Sequence, residues 1–131
     1  MLFRSVFDHL ITTLVVDLEE RGLLDEVLIL AFGDFGRDPV IGTQGGFTGG
    51  RNHWPRVMSM CLAGGGLNHG QVIGSSDAAG GEIHDRPVSP ADLAASIYRH
   101  MGVPLDATYL DNSGRPNFIV EGHGQPIREL F

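Results

Sequence analysis

Asp34, Arg37, Arg51 and His53 lie within one short stretch of the chain and bring two kinds of chemistry to it. A carboxylate and an imidazole can ligate the same metal ion, oxygen from Asp34 and nitrogen from His53. Two guanidinium groups, Arg37 and Arg51, can clamp a sulfate, phosphate or carboxylate, because the planar fork meets two oxygens at once. Each residue also has a plainer role open to it. Asp often hydrogen-bonds its own turn, His53 and Trp54 can brace a loop, and the arginines can pair with Asp38 or with glutamates at the surface. Spacing alone leaves both sets of roles open.

The remaining polar residues carry weaker signals. Glu82, His84 and Asp85 form a polar knot, but nothing else at metal-like spacing joins it. His9 and His100 fall on predicted helices and His69 beside a glycine-rich turn, positions that read as exposed or structural. His123, between Gly122 and Gly124, reads as a solvated loop residue. No G-x-S-x-G, H-E-x-x-H, P-loop or C-x-x-C motif occurs, so those chemistries have no support.

The elements that must position these residues follow from periodicity. Phe3, Val6, Phe7, Leu10, Leu14 and Leu18 recur at three- and four-residue spacing, which predicts an amphipathic helix closed by Gly22. The uninterrupted apolar run Val27 to Phe32 then reads as a strand buried on both faces, the kind found in parallel sheets. Helix, tight turn and buried strand make half of a βαβ unit, whose first strand would lie before Met1. Asp34 follows that strand, where open α/β sheets place their ligands. A glycine-rich stretch, Gly45 to Gly50, leads to His53. Val57 to Ala63 reads as a second core strand stopped by Gly64, Gly65 and Gly66. Val72 and Ile73 suggest a short strand, and Ser75 to Arg86 a polar loop. Ser89-Pro90-Ala91-Asp92 announces a helix: Ser as cap, Pro in the first turn, and Asp where the helix dipole favours negative charge. Its inward face would be Leu93, Ala94, Ile97, Tyr98 and Met101, with Gly102 as the stop. Phe118 to Val120 suggests a last short strand.

Composition sets the outer bounds. A chain of 131 residues is one domain or part of one, and chains of this length bury roughly two-thirds of their unfolded surface. The formal charge of −7 argues against non-specific nucleic-acid binding. No stretch approaches the roughly 20 apolar residues of a membrane span. The amino-terminal apolar residues lie among Asp8, Asp17, Glu19 and Glu20, unlike a signal peptide. The lone cysteine, Cys61, cannot form an internal disulfide and reads as core packing.

Several motifs in order carry a resemblance: Gly33-Asp34-Phe35-Gly36-Arg37-Asp38-Pro39, Gly50-Arg51-Asn52-His53-Trp54-Pro55, the Gly64–Gly66 triplet, Asp85-Arg86-Pro87-Val88-Ser89-Pro90-Ala91-Asp92, and the terminal Pro126-Ile127-Arg128-Glu129-Leu130-Phe131. Together they resemble the carboxyl-terminal part of the sulfatase-like "domain of unknown function fifteen-oh-one" family, a relative of alkaline phosphatases and sulfatases. The resemblance implies an α/β fold: a fragment of an alkaline-phosphatase-like sandwich, its mostly parallel central sheet flanked by helices. Residues 1–131 would form a single partial domain. It implies metal ligation by Asp34 and His53, with Ca, Zn or Mg as the ion, and anion contact by Arg37 and Arg51. In full-length form it implies hydrolysis of a sulfate or phosphate ester, or else a non-catalytic binding or scaffold protein; an inactive truncated fragment is the third reading. The implied partners are a sulfated or phosphorylated small molecule or polysaccharide, and the amino-terminal part of the same domain. Phe35 stands where phosphatases place a metal-binding His. Asp34, Asp38 and Asn52 stand where closer relatives carry Glu, Thr and Asp.

Overall fold

The computed structural model describes residues 6–44 and 47–131. Phe3, at the start of the predicted first helix, and Gly45 and Gly46 of the glycine-rich stretch lie outside the described residues. Two compact units emerge, one from residues 1–33 with 59–71, the other from 34–58 with 72–131.

In the first unit, α1 spans Val6–Glu20. Its end is a Schellman motif. Gly22 adopts φ +69, its N–H reaches the Glu19 carbonyl at 2.9 Å, and the Leu23 N–H reaches the Leu18 carbonyl at 2.8 Å. The apolar spacing is there as expected, yet no residue of α1 is buried. Ile11, Val15 and Leu18 are half-buried, while Phe7, Leu10 and Leu14 are exposed. After α1 come β1 (Leu28–Phe32) and, far along the chain, β6 (Met60–Gly64). They pair antiparallel from Leu28 opposite Gly64 to Phe32 opposite Met60. Gly64 has φ +72, and a side chain there would run into the carbonyls of Val27 and Leu24. Only Gly serves at that corner. Among the described residues of this unit, Leu67 is the buried apolar one.

The expected parallel sheet is overturned. Among the described residues every ladder is antiparallel and two-stranded. The physical reason lies between β1 and β6. A parallel return needs a crossover, usually a helix, whereas residues 33–59 are glycine-rich and hold short ribbons. These are β2 (Gly36–Arg37) paired with β5 (His53–Trp54), and β3 (Gly42–Gln44) paired with β4 (Phe47–Gly50). Helices do not sandwich a central sheet either: β1 contains no fully buried residue. Cys61 also departs from expectation, because it is exposed rather than packed in a core.

The second unit continues with β7 (Ser75–Ser76) and β8 (Ile83–Asp85), paired where a plain loop was expected. Val72 and Ile73 form no strand, and Val72 is fully in solvent. The second helix, α2 (Pro90–His100), has the predicted cap. Ser89 Oγ accepts from the Asp92 N–H at 3.1 Å, and Asp92 Oδ2 accepts from the Ser89 N–H at 2.9 Å, a capping box. Gly102, φ +69, closes it with a second Schellman pair, Val103 N–H to the Tyr98 carbonyl at 2.9 Å. The buried face is Leu93, Ala95 and Ser96, while Met101 is exposed. Of the other residues expected on the inward face, Ala94, Ile97 and Tyr98 are half-buried. Strands β9 (Thr108–Leu110) and β10 (Pro116–Phe118) form a hairpin, the latter two residues earlier than expected.

The tail then folds back on α2 through a tight turn at Glu121–His123, where Gly122 and His123 both have φ +63, and a one-turn 3₁₀ segment, Arg128–Leu130. Val120, Ile127 and Leu130 join Leu93 and Ala95 as the unit's buried apolar core. Ser96 is buried because both of its hydrogen-bonding roles are met: it donates to the Asp92 carbonyl at 2.8 Å and accepts from the Ile127 N–H at 2.8 Å. Arg86 grips Glu129 with two 2.7 Å bonds, and Arg99 lies over the Phe131 ring at 4.1 Å.

Candidate functional site

The β2–β5 ribbon brings Arg37, Arg51 and His53 together. Arg37 is paired with His53 across it, and Gly36 with Trp54. Gly36 is required by close approach: a Cβ there would strike the Val57 carbonyl and come within 2.9 Å of the Trp54 carbonyl oxygen. Because side chains alternate along a strand, His53 and Trp54 leave on opposite sides.

On the His53 side, the imidazole stacks on Phe35, ring centroids 3.6 Å apart and planes 26° from parallel. The Arg37 guanidinium lies 5.2 Å from the centre of the same Phe35 ring, a cation–π distance. His53 is exposed, and neither ring nitrogen is hydrogen-bonded among the described residues. Phe35 thus holds the face of the imidazole and leaves its nitrogen-bearing edge clear.

The two arginines play different parts. Arg51 donates through Nε to the Asp38 carbonyl and through Nη2 to the Arg37 carbonyl at 2.9 Å. With these two bonds it clasps the opposite strand by its backbone. Arg37 spends only Nη1, on the Arg51 carbonyl at 3.3 Å. Its remaining N–H groups have no acceptor among the described residues, so Arg37 is the better placed of the two to meet an anion. Asp38 is held by its own turn, its Oδ1 accepting from the Val40 N–H at 2.9 Å.

Asp34 lies in the bend before β2, exposed, with no hydrogen bond among the described residues and none joining it to His53. No group of three or more His, Cys, Asp or Glu side chains clusters among the described residues. Two donors are half of a tetrahedral zinc set. Any metal at Asp34 and His53 would therefore draw its other ligands from outside these residues.

The Trp54 side holds what sequence reasoning missed. The indole Nε1–H donates to the Gly81 carbonyl at 2.6 Å, from 27 residues away. That carbonyl belongs to a turn built by Asp77, whose Oδ1 accepts from the N–H groups of Gly81 at 2.7 Å and Glu82 at 3.3 Å. These backbone donors, Gly81 first, hold the Asp77 carboxyl below the usual carboxylate range. Glu82 pairs with Arg56, which also approaches the Trp54 ring at 5.9 Å. The polar knot of Glu82, His84 and Asp85 is thus spent in part on this brace, with His84 and Asp85 exposed on β8. Asp77-Ala78-Ala79-Gly80-Gly81 was the available signal, an Asp followed by turn glycines; its partner Trp54 was not legible locally.

The other histidines fit their expected places. His69 meets the Gly64 carbonyl at 2.8 Å, and His9 and His123 are exposed. A shallow depression bordered by Arg86, Asp92, Gln125, Pro126 and Arg128 lies on the tail. Asp92 Oδ1 there accepts from the Gln125 N–H at 2.9 Å, the main reason its carboxyl lies below the ordinary range.

No curated protein and no solved structure matches the chain. One family does: "Protein of unknown function (DUF1501)", over residues 4–131. That match runs from beyond the start of α1 to the last residue and takes in both strands of the His53 ribbon, and the chain belongs to this family.

Proposed function

We propose that this chain supplies one side of the cleft of a metal-dependent hydrolase acting on sulfate or phosphate esters. The observation that carries the reading is the pairing of Arg37 with His53 on one ribbon, the first with unspent N–H groups and the second with an unspent nitrogen edge. The resemblance of the chain's motifs to this family, read as a relative of sulfatases and alkaline phosphatases, supports the same reaction class. In it, Asp34 and His53 would contribute to holding a divalent ion, Ca, Zn or Mg, which supplies Lewis acidity when bound. Arg37 would bind and orient the equatorial oxygens, with charge-assisted bonds that strengthen as charge develops there. Arg51, with two of its N–H groups on backbone carbonyls, would keep the ribbon closed beneath it. The remaining ligands and the nucleophile would come from the amino-terminal part of the same domain. The exposed apolar residues of α1, Phe7, Leu10 and Leu14, offer such a partner a surface to cover.

A second reading is supported by Phe35, a ring with no donor atom where a phosphatase would place a metal-binding His. On that reading the protein binds a sulfated or phosphorylated small molecule or polysaccharide without cleaving it. Titration of inorganic sulfate and phosphate into the protein, with and without Zn, Ca or Mg, tests the site common to both. Saturable NMR shifts at Arg37 and His53, lost in Arg37→Ala, are expected; equal shifts in wild type and Arg37→Ala would overturn it. Hydrolysis of a nitrophenyl sulfate or phosphate, once the rest of the domain is supplied, separates the two readings.

A further inference from the structure

A ribbon of two residue pairs is too short to fix its own twist, since isolated two-stranded pairs are marginal in water. Something else must set the angle at which His53 leaves β5. His53 and Trp54 are consecutive on that strand and point to opposite sides, so rotation of the strand about its axis moves both together. The Trp54 indole is fixed at its far end by the Gly81 carbonyl, 2.6 Å away. Gly81 is buried, and a side chain there would press to 3.3 Å from the Pro39 ring, so the carbonyl has little freedom. Asp77 closes the turn that presents it, taking the Gly81 and Glu82 N–H groups on one oxygen while its own N–H meets the Glu82 carbonyl at 2.9 Å.

We propose that Asp77 and Trp54 are positioning residues for His53: through the Gly81 carbonyl they set the orientation of its imidazole against the Phe35 ring. The inference deepens the reading of His53 as a functional group and rests on it for chemical meaning only. The geometric claim is testable without turnover.

The experiment uses the whole protein with ¹³C-labelled histidine, the His53 ring signal being identified by its loss in His53→Gln. Stacking at 3.6 Å places the His53 ring protons in the shielding zone of Phe35. Phe35→Leu gives the unshielded reference. Asp77→Ala and Trp54→Phe, the latter removing only the indole donor, should each move the His53 signal most of the way to that reference. Asp77→Asn should restore it, because the amide oxygen still accepts the Gly81 and Glu82 N–H groups although the charge is gone. An unchanged His53 signal in Trp54→Phe, or failure of Asp77→Asn to restore it, overturns the proposal. If Asp77→Ala loses the amide protection of Ile127, and with it the fold, Trp54→Phe alone decides. Absence of ester hydrolysis would overturn the hydrolase reading and leave this result standing.

Discussion

Replacing Ser96 by Ala removes one oxygen atom from the most tightly enclosed polar position among the described residues, 2% exposed. That oxygen does two things. Its donated bond goes to the Asp92 carbonyl, which keeps its ordinary helical partner one turn on, so little is lost there. Its accepted bond comes from the Ile127 N–H at 2.8 Å, and Ile127 is itself only 4% exposed. Alanine would leave that N–H in a buried site with no acceptor. An unsatisfied buried donor costs about 1–3 kcal/mol, a sizeable share of the roughly 5–15 kcal/mol that holds an ordinary domain together. Ser96→Ala should therefore lower the urea midpoint without changing the slope. If the carboxyl-terminal tail opens as a unit, exchange of the Ile127 amide should accelerate about 5- to 150-fold. Hydrogen exchange followed residue by residue is the assay. A variant as stable as wild type, with the Ile127 amide still protected, would refute the reasoning that this hydroxyl pins the tail to α2.

Other perturbations probe different parts of the molecule. Gly36→Ala drives a methyl into the Val57 carbonyl and should destabilise the His53 ribbon by about 1–3 kcal/mol, as overpacking does; loss of the His53–Phe35 ring-current shift reports it. Glu129 titrates at about 2 rather than 4.5, chiefly through its bonds to Arg86. A depressed carboxyl stabilises the folded state fully above the unfolded value, and that contribution drains away as pH falls from about 4.5 through about 2. Acid melts of Glu129→Gln should lose the part of the pH dependence that lies in this window; identical profiles would count against the pair. Leu30, half-buried opposite Leu62 in β1–β6, should not tolerate charge. Leu30→Asp is expected to abolish the amide protection of β1, and a retained β1–β6 ladder would contradict its place in the first unit.

What the sequence made legible was local. The Ser89-Pro90-Ala91-Asp92 cap and the stops at Gly22 and Gly102 are decided by a few neighbouring residues, and all three formed as expected. The direction of strand pairing was not legible. An apolar run records that a strand seeks burial, not which way its partner runs, and Leu28–Phe32 took an antiparallel partner. Burial itself was over-read at Cys61 and at Met101, which sit in apolar sequence yet face solvent. The candidate site divided in the same way. Arg37 and His53 could be named from residue type and nearness in the chain. That Arg51 would spend itself on two carbonyls, or that Trp54 would reach Gly81, depends on contacts between residues far apart in sequence. Such contacts leave no local pattern to read.

The most direct measurement of the proposed chemistry is metal content. If an amino-terminal part completes the domain as proposed, protein carrying that part and purified without chelator should hold a divalent ion in fixed ratio to chain, and His53→Ala should lose it while retaining the protected Ile127 amide. The same ratio in His53→Ala and wild type would remove His53 from any metal site and leave Arg37 as the surviving element of the proposal.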